Sequence, residues 1–263
     1  MKLSVIIPAR NEASCIRSTV SKLHDVLKAE AIEHEIVVVN DNSTDDTEVV
    51  ARSLADELPG LSVINNPEPH GFGLAVRKGL DNFSGDAVAI YMADDSDQPE
   101  DLVRFFRAMQ QTHTDCAFGS RFIRGGQTTG YPFVKLLLNR LANSWIRILF
   151  GLRYNDVTNA FKLYRREVIE GLQPLLSRHF NITVELPLKA IVRGYTYTVV
   201  PNSWFNRRAG LSKLKIQEMG SRYLFIILYC FIERWLSRGD YHRRNHAPAG
   251  DPLPNEHCEQ TES

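Results

Sequence analysis

Three aspartates, Asp94, Asp95 and Asp97, lie within four positions of one another and could hold a cation. Carboxylates this close repel one another unless a cation or a strong hydrogen-bond donor lies between them. Oxygen ligands without histidine or thiolate suit Mg²⁺ or Mn²⁺, ions that commonly complete their coordination with substrate phosphates. The cluster therefore indicates a metal-assisted nucleotide diphosphate site. It also fits a second interpretation, in which the aspartates cap a helix that begins near Pro99.

Two further polar clusters follow apolar runs that are typical of strands. Pro8, Arg10 and Glu12 belong to the first cluster, and Asp41 belongs to the second. The carboxyl ends of parallel strands gather on one edge of a sheet, and ligands bind there. We therefore expect the fold to bring both clusters close to the three aspartates. At the end of a buried strand, Asp41 is expected to contact a ribose or a base.

Two nearby segments favour structural interpretations. In residues 44–47 we predict the start of a helix, which Ser43 and Asp46 would cap. The glycine-rich residues 71–79 superficially resemble a phosphate-binding loop. They follow the third predicted strand rather than the first, so they are a weak dinucleotide-binding fingerprint.

Short runs rich in valine and isoleucine alternate with segments of helical periodicity. The predicted strands are residues 3–8, 35–39, 61–64, 87–92, 115–118 and 195–200. Between the first two, four apolar residues recur at steps of three and four and form one stripe: Ile16, Val20, Leu23 and Leu27. The alternation predicts an α/β fold with a single Rossmann-like, mostly parallel sheet and helices on both faces.

The second half of the chain carries apolar surface with no predicted partner. In residues 136–150 the polar side chains form only a narrow stripe, made by Asn139, Arg140, Asn143, Ser144 and Arg147. The apolar run 223–232 is about half of the roughly 20 residues needed to cross a bilayer. We therefore predict amphipathic, membrane-facing helices near 136–150 and 219–236 that do not span a membrane. Residues 237–263 are predicted to form a disordered tail.

Composition narrows the functional classes. The formal net charge of the 263 residues is zero, so no overall charge draws the chain to nucleic acid. The four cysteines include no CxxC pair, and the histidines have no zinc-binding spacing, which indicates a reducing compartment. The first residues do not have the pattern of a signal peptide. We expect one domain over residues 1–236, cytoplasmic and peripheral on the cytosolic face of a membrane.

Six segments follow one another in a recognisable order. They are SVIIPARNE (4–12), VVVNDNSTDDT (37–47), DDSDQPED (94–101), GSRF (119–122), DVTNAFKLYRR (156–166) and FNRRAGLSK (205–213). Together they resemble the family 2 glycosyltransferases of the GT-A fold. Within that family they are similar to the branch of dolichol-phosphate mannosyltransferases and polyprenyl-phosphate glycosyltransferases. The resemblance covers about residues 3 to 236.

The resemblance implies roles for particular residues. Asp95 and Asp97 would bind the metal, and Asp94 would join Asp95 in the nucleotide-sugar site. Arg121 would meet the donor phosphate or sugar. The nucleoside would be held by Pro8, Arg10, Glu12 and Asp41. The acceptor phosphate would be bound by Arg207, Ser212 and Lys213, for which a solvated basic surface is the alternative. The catalytic set would comprise Asp95, Asp97, Arg121 and Arg207.

Three features depart from the motifs of this branch. Asn40 and Asn42 stand where the branch usually has Asp and Gly, and the metal motif is shifted toward Asp95 and Asp97. Residues 159–162 read Asn-Ala-Phe-Lys in place of Ser-Gly-Phe-Arg. The sequence therefore leaves the base and the sugar of the donor open, with GDP-mannose and UDP-glucose both included. It also leaves open whether a separate membrane-anchor subunit exists.

The nature of the acceptor decides what the enzyme must supply. A phosphate monoester has a second pKa of about 6, so a polyprenyl phosphate can attack the anomeric carbon without a strong base. The expected reaction is a metal-dependent, inverting transfer of a hexose from a sugar nucleotide. A saccharide hydroxyl, as in cell-envelope polysaccharide synthesis, would need a general base, for which Asp156 and Glu185 are candidates. A non-catalytic nucleotide-binding subunit is the alternative from another class.

Overall fold

A computed structural model describes residues 1–205 and 216–243; the side chains of 216–219 are not described. The strands are β1 Leu3–Ala9, β2 His34–Asn40, β3 Leu61–Asn65, β4 Ala87–Ile90, β5 Cys116–Ser120, β6 Gln127–Thr129, β7 Lys162–Arg165, β8 Tyr197–Pro201 and β9 Ser203–Phe205. The helices are α1 Ile16–Ala29, α2 Thr47–Glu57, α3 Phe72–Leu80, α4 Pro99–Thr112, α5 Phe133–Phe150, α6 Arg166–Gly171, α7 Ile182–Val192 and α8 Ile216–Leu236. The six predicted strands and the first crossover helix are therefore present, with boundaries shifted by a few residues.

Seven strands form one sheet in the order β3-β2-β1-β4-β7-β5-β8. All neighbouring strands are parallel except β7, which runs antiparallel to both β4 and β5. The predicted mostly parallel sheet is thus confirmed, but β7 and the small parallel β6–β9 pair were not predicted. The chain order reverses at β1, with β2 on one side and β4 on the other. Ligands bind at such switch points in open α/β sheets.

Helices cover both faces of the sheet, as predicted. On one face, Leu3, Val5 and Ile7 of β1 pack in the same core as the apolar residues of α1, α2 and α4. On the other face, Ile6 packs in a second core with residues of α3, α5, α7 and α8. Alternate residues of one strand serve opposite cores because successive side chains of a strand point to opposite faces.

The helix α5 turns part of its polar stripe inward, while Arg140, Ser144 and Arg147 stay exposed. Asn143 is only 2% exposed, although it is polar, and its Nδ2 donates to Thr158 Oγ1 at 2.9 Å and to the Asn139 carbonyl oxygen at 2.9 Å. The exposed apolar residues of α5 are Phe133, Val134, Leu137, Leu138, Leu141, Trp145 and Ile148. The helix therefore presents an apolar face away from the protein core.

The helix α8 extends this apolar surface. Phe231 of α8 packs edge-to-face on Phe150 of α5 at a ring-centroid distance of 6.1 Å, and Arg234 Nη1 donates to the Phe150 carbonyl oxygen at 2.5 Å. Exposed apolar residues of α8 are Leu224, Phe225, Leu228, Ile232, Trp235 and Leu236. Within residues 1–205 and 216–243, no helix is both long enough and apolar enough to span a bilayer.

The segment beyond α8 begins with turns. In residues 237–243, Arg243 Nη1 forms an ion pair with Asp115 Oδ2 at 2.6 Å, and its amide N–H donates to the Arg193 carbonyl oxygen. Residues 244–263 lie outside the described residues, so the predicted disordered tail stays a prediction there.

Candidate active site

The loops after β1 and β2 are tied to each other by side-chain hydrogen bonds. The amide of Asn11 donates to Ser43 Oγ at 3.1 Å, and the amide of Thr44 donates to Asn11 Oδ1 at 2.8 Å. The amide of Glu12 donates to Thr47 Oγ1 at 2.8 Å. These contacts hold the loop with Pro8, Arg10 and Glu12 beside the end of β2, as the sequence predicts.

Asp41 lies at this junction and is itself buried. Its carboxylate accepts hydrogen bonds from Asn66 Nδ2 at 2.7 Å and from the Gly71 amide at 3.0 Å, while its own amide donates to the Ala9 carbonyl oxygen. Asp41 thus links the end of β1, the segment after β3 and the start of α3. The sequence analysis did not find Asn66 or the Gly71 amide, because both depend on contacts between distant segments.

The glycines of the 71–79 run provide close packing. A Cβ atom at Gly73 would lie 2.7 Å from backbone atoms of residues 177–179, and one at Gly71 would lie 2.5 Å from the Arg178 carbonyl oxygen. The start of α3 therefore rests directly on the segment that precedes α7. This close packing explains why glycine occupies both positions, and a role in phosphate binding is not needed to explain them.

The prediction that Ser43 and Asp46 cap α2 is wrong in its details. Asp46 occupies the N-cap position, but its side chain makes no capping hydrogen bond. Asp45 Oδ1 instead accepts from the Thr47 amide at 3.0 Å, and Ser43 Oγ accepts from the Asn11 amide. The polar run therefore connects two loops as well as starting a helix.

The aspartate cluster does not cap α4. The N-cap residue of that helix is Gln98, with no side-chain capping bond, so the capping interpretation is wrong. Asp94 Oδ1 accepts from Ser96 Oγ at 2.5 Å, and Asp97 Oδ2 accepts from the Met92 amide at 3.2 Å. The backbone of Asp95 adopts a left-handed conformation, with φ of 59°.

Positive charge stabilises this cluster only in part. Lys22 Nζ lies 2.8 Å from Asp95 Oδ2, with both side chains partly exposed. Burial and the nearby Asp94 raise the pKa of Asp97 to about 7, while Arg121 acts in the opposite direction. A buried carboxylate beside another acid is a suitable ligand for a divalent cation, because the cation removes both penalties.

The donor set fits a cation that shares its coordination with a substrate. Among the described residues, no group of three or more His, Cys, Asp or Glu side chains is arranged to hold a metal alone. Mg²⁺ and Mn²⁺ sites with one or two carboxylates take the rest of their ligands from water and substrate phosphates. The arrangement of Asp95 and Asp97 is consistent with that type of site.

Arg121 follows β5 and forms a buried ion pair with Asp156. Its Nε and Nη2 atoms each donate to the Asp156 carboxylate at 2.8 Å, and its amide donates to Asp156 Oδ2 at 3.0 Å. Burial alone would lower the pKa of Arg121, but Asp156 outweighs it and raises that pKa. The guanidinium also lies 5.7 Å from the ring centroid of Tyr131. Contact of Arg121 with donor phosphate or sugar stays a prediction.

Glu185, the other candidate base, is fully buried in α7. Its Oε1 and Oε2 atoms accept from the amides of Leu176 and Ser177, each at 2.7 Å, and Lys189 Nζ lies 2.8 Å from Oε1. The carboxylate therefore fixes the turn before α7. The residues predicted to bind acceptor phosphate, Arg207, Ser212 and Lys213, lie outside the described residues.

Comparison with known proteins decides the family. The model described as glycosyl transferase family 2 matches residues 4–172. The chain belongs to glycosyl transferase family 2. A polyprenol monophosphomannose synthase of Mycolicibacterium smegmatis is 33% identical over 216 residues, which cover 80% of this chain and 80% of that relative. A dolichol-phosphate mannosyltransferase of Pyrococcus furiosus is 34% identical over 218 residues, 82% of this chain but only 60% of that relative.

Solved structures agree on the fold. Glucosyl-3-phosphoglycerate synthase from Mycobacterium tuberculosis, in complex with Mn²⁺, UDP and glucosyl-3-phosphoglycerate, matches with a TM-score of 0.64 at 20% identity. The match covers 89% of this chain and 79% of that one. The same enzyme with Mg²⁺ and UDP matches with a TM-score of 0.63 at 19% identity, over 89% of this chain and 79% of that one. The predicted GT-A fold is thereby confirmed.

One departure from the family motifs has a structural role that the sequence analysis missed. Lys162 replaces the usual arginine of this glycosyltransferase branch, and its Nζ donates to the carbonyl oxygens of Val157, Asn159 and Thr183. It is 1% exposed, and burial lowers the pKa of its ammonium to about 7. Lys162 thus holds the segment that carries Asp156 against the first turn of α7.

Proposed function

We propose that this glycosyltransferase moves a hexose from a sugar nucleotide to a polyprenyl phosphate, with inversion at the anomeric carbon. One observation carries the choice of acceptor. Asp156 and Glu185, the two candidate general bases for a hydroxyl acceptor, are both completely buried and held in ion pairs. A carboxylate that already accepts hydrogen bonds from backbone amides and is paired with an arginine or a lysine is a poor base. A phosphate acceptor does not need one.

Donor binding is assigned to the edge at β1, β2 and β4. Pro8, Arg10, Glu12 and Asp41 would hold the nucleoside, and Asp94 and Asp95 would lie beside its phosphates. A Mg²⁺ or Mn²⁺ ion held by Asp95 and Asp97 would neutralise the departing diphosphate. The similar structures with bound Mn²⁺ or Mg²⁺ and UDP support this assignment as an analogy of fold.

The protein's own groups contribute mainly by position. The tied loops after β1 and β2 keep the nucleoside residues in one place, so little ordering is required when the donor binds. The pair of Arg121 and Asp156 fixes the segment after β5, and the charge of Arg121 opposes the rise in the pKa of Asp97 that burial and Asp94 cause. Arg207, Ser212 and Lys213 would bind the acceptor phosphate, where the planar guanidinium suits two phosphate oxygens.

The relatives support the acceptor class. The names of the mycobacterial and archaeal relatives specify polyprenol monophosphomannose synthesis and dolichol-phosphate mannosyl transfer. By analogy we assign mannose as the first sugar to test, with GDP-mannose compared with UDP-glucose.

The exposed apolar faces of α5 and α8 support work at a membrane surface. The two helices pack on each other through Phe150 and Phe231. Amphipathic helices of this kind bury their apolar face in the lipid interface without spanning it. We assign the cytosolic face of a membrane as the location; a separate anchor subunit would add to this contact.

High salt or carbonate should release the protein from membranes, and retention after both treatments would contradict a peripheral attachment.

The decisive experiment offers purified protein both acceptor classes. GDP-mannose and UDP-glucose would be supplied with Mg²⁺ or Mn²⁺, and product would be measured on a polyprenyl phosphate and on a free glycan. The proposal predicts metal-dependent transfer to the lipid phosphate alone. Transfer only to the glycan would establish the saccharide-hydroxyl alternative, and donor binding without any transfer would favour the non-catalytic one.

A further inference from the structure

A pocket lies between the segment before α7 and the first described turns of α8. Its volume is about 510 Å³, and its lining includes Arg178, Asn181, Ser221, Arg222 and Phe225. None of these is among the residues assigned to donor, metal or acceptor. None of the described residues that line the pocket is acidic. The pocket is therefore locally basic in a chain whose net charge is zero.

The backbone of the pocket wall is held from inside the protein. Glu185 accepts from the amides of Leu176 and Ser177, and the Arg178 carbonyl oxygen accepts from the Leu74 amide at 3.2 Å. On the α8 side, Tyr223 Oη donates to the Phe180 carbonyl oxygen at 3.2 Å. The wall and the helix are thus joined, so the two arginines are carried by fixed backbone rather than by a loose loop.

An unsatisfied buried atom indicates what the pocket could bind. Asn181 is 5% exposed, and its Oδ1 has no hydrogen-bond partner in the described part of the chain. A buried acceptor without a partner is costly, and a ligand hydroxyl would remove the cost. Arg178 and Arg222 line the same pocket, and guanidinium groups suit a phosphate. The combination points to a ligand that carries both a phosphate and hydroxyl groups.

The surroundings favour a lipid as the source of that group. Phe225 lines the pocket and is 60% exposed, and Leu224 and Leu228 are exposed on the same helix. Arginine beside exposed apolar side chains is typical of helices that lie in the interface of anionic membranes. A headgroup in the pocket would place its acyl chains along the apolar face of α8.

We propose that this pocket binds the phosphate of a polyol-phosphate group, the headgroup of an anionic glycerophospholipid such as phosphatidylglycerol. Arg178 and Arg222 contact the phosphate, and Asn181 Oδ1 accepts from a hydroxyl of the polyol. Membrane contact by α8 belongs to the proposed function. None of the described residues that line the pocket is among those assigned to transfer, and its binding is measured without any transfer reaction.

The test compares vesicle binding of the full chain and two charge-matched double variants. Arg178→Gln/Arg222→Gln alters the pocket. Arg17→Gln/Arg52→Gln removes the same charge from exposed positions of α1 and α2, on the opposite face of the sheet. Vesicles of phosphatidylcholine contain either phosphatidylglycerol or an equal amount of phosphatidylserine, and sedimentation gives the bound fraction.

The proposal predicts that the pocket variant loses on the order of tenfold in affinity for phosphatidylglycerol vesicles, since each arginine near an anionic surface contributes severalfold. The control variant should bind as the parent does. The parent should also prefer phosphatidylglycerol to phosphatidylserine, and Asn181→Leu should abolish that preference. An equal loss of affinity for phosphatidylglycerol vesicles in both double variants, or no loss of affinity in either, would contradict the proposed site. Equal binding of the two lipids by the parent would overturn the role of Asn181.

A titration with a soluble compound distinguishes a lipid headgroup from a free polyol phosphate as the ligand. Calorimetric titration with glycerol 3-phosphate measures whether the free polyol phosphate binds. Binding that the pocket variant loses supports the site and makes the free compound a ligand. The lipid is supported as the ligand if the protein binds vesicles more tightly than it binds glycerol 3-phosphate, and if glycerol 3-phosphate does not displace the protein from vesicles. Glycerol 3-phosphate binding that is unchanged in the pocket variant would contradict the assignment of Arg178 and Arg222.

Discussion

Residues 1–120 and residues 121–243 use apolar and charged side chains in opposite ways. In residues 1–120, all of which the structure describes, Met1 and Val49 are the exposed large hydrophobic residues. The described part of the second region exposes apolar side chains along most of α5 and α8. Buried acids of the first region include Asp41, Asp94 and Asp97 at strand ends, whereas the second region pairs Arg121 with Asp156 and Arg193 with Glu233.

This difference supports different surroundings for the two regions in the proposed function. The acids at strand ends lie at the edge of the sheet to which we assign the cation and the nucleotide. Buried ion pairs rarely add net stability, but they define one arrangement of the segments that they join. The exposed apolar side chains support the proposed contact with a lipid interface. In the proposed function, donor chemistry therefore falls mainly in the first region, with Arg121 at the border, and acceptor and membrane contact fall in the second.

The largest expected effect tests the first region. Asp97→Ala should reduce transfer by about 100-fold or more, because the charge that develops on the departing diphosphate loses its metal. Asp95→Ala should act in the same way, and circular dichroism should show an intact fold for both. Asp46→Ala, at an exposed N-cap without a side-chain bond, is the matched control and should keep its activity. Near-normal transfer by either metal-site variant with limiting metal would remove that residue from the metal site.

The next effect belongs to the acceptor side. Arg207→Ala should reduce transfer to a polyprenyl phosphate by about 10-fold to 100-fold, since a charge-assisted contact with phosphate contributes roughly 1.5–3 kcal/mol. Arg207→Lys should restore part of the activity. Donor affinity, measured on the same preparations, should not change. Donor binding that weakens as much as transfer would move Arg207 to the donor side and would break the division between the regions.

A third prediction separates a structural ion pair from a general base. Asp156→Asn should lower the free energy of unfolding by about 3–5 kcal/mol, because it leaves the Arg121 guanidinium buried without its partner. Urea denaturation measures this change. Asp115→Asn, which weakens a pair with the partly exposed Arg243, should cost clearly less. A variant of Asp156 that is fully stable but inactive would instead establish the residue as a catalytic base.

The smallest change in stability tests the orientation of α5. Leu141→Asp, on its exposed face, should change the unfolding free energy by less than about 0.5 kcal/mol while it clearly weakens binding to vesicles. Leu23→Ala, on the buried stripe of α1, should cost about 2–5 kcal/mol without altering vesicle binding of the folded protein. Strong destabilisation by Leu141→Asp would mean that this face is covered by protein.

Sequence patterns predicted the first region well because each signal there is local. Val- and Ile-rich runs specify buried strands, the stripe of Ile16, Val20, Leu23 and Leu27 specifies a helix on the sheet, and the polar clusters follow the strands directly. The capping interpretations failed for the opposite reason. An aspartate before a helix has the same local pattern whether it binds an amide of that helix or another segment, as Asp45 and Asp97 show.

The sequence alone determined six strands and their order along the chain, the first crossover helix, the helices near 136–150 and 219–236, and the family, because periodicity and ordered motifs are properties of the chain. The strands β6, β7 and β9 and the order of the strands within the sheet were seen only in the structure. Only the tertiary structure decided which partners the buried charges have. The contact of Asp156 with Arg121, and that of Lys162 with the carbonyl oxygen of residue 183, join segments whose separation along the chain carries no signal. The inward position of Asn143 was decided in the same way, because a helical stripe fixes which residues share a face but not which face meets the core.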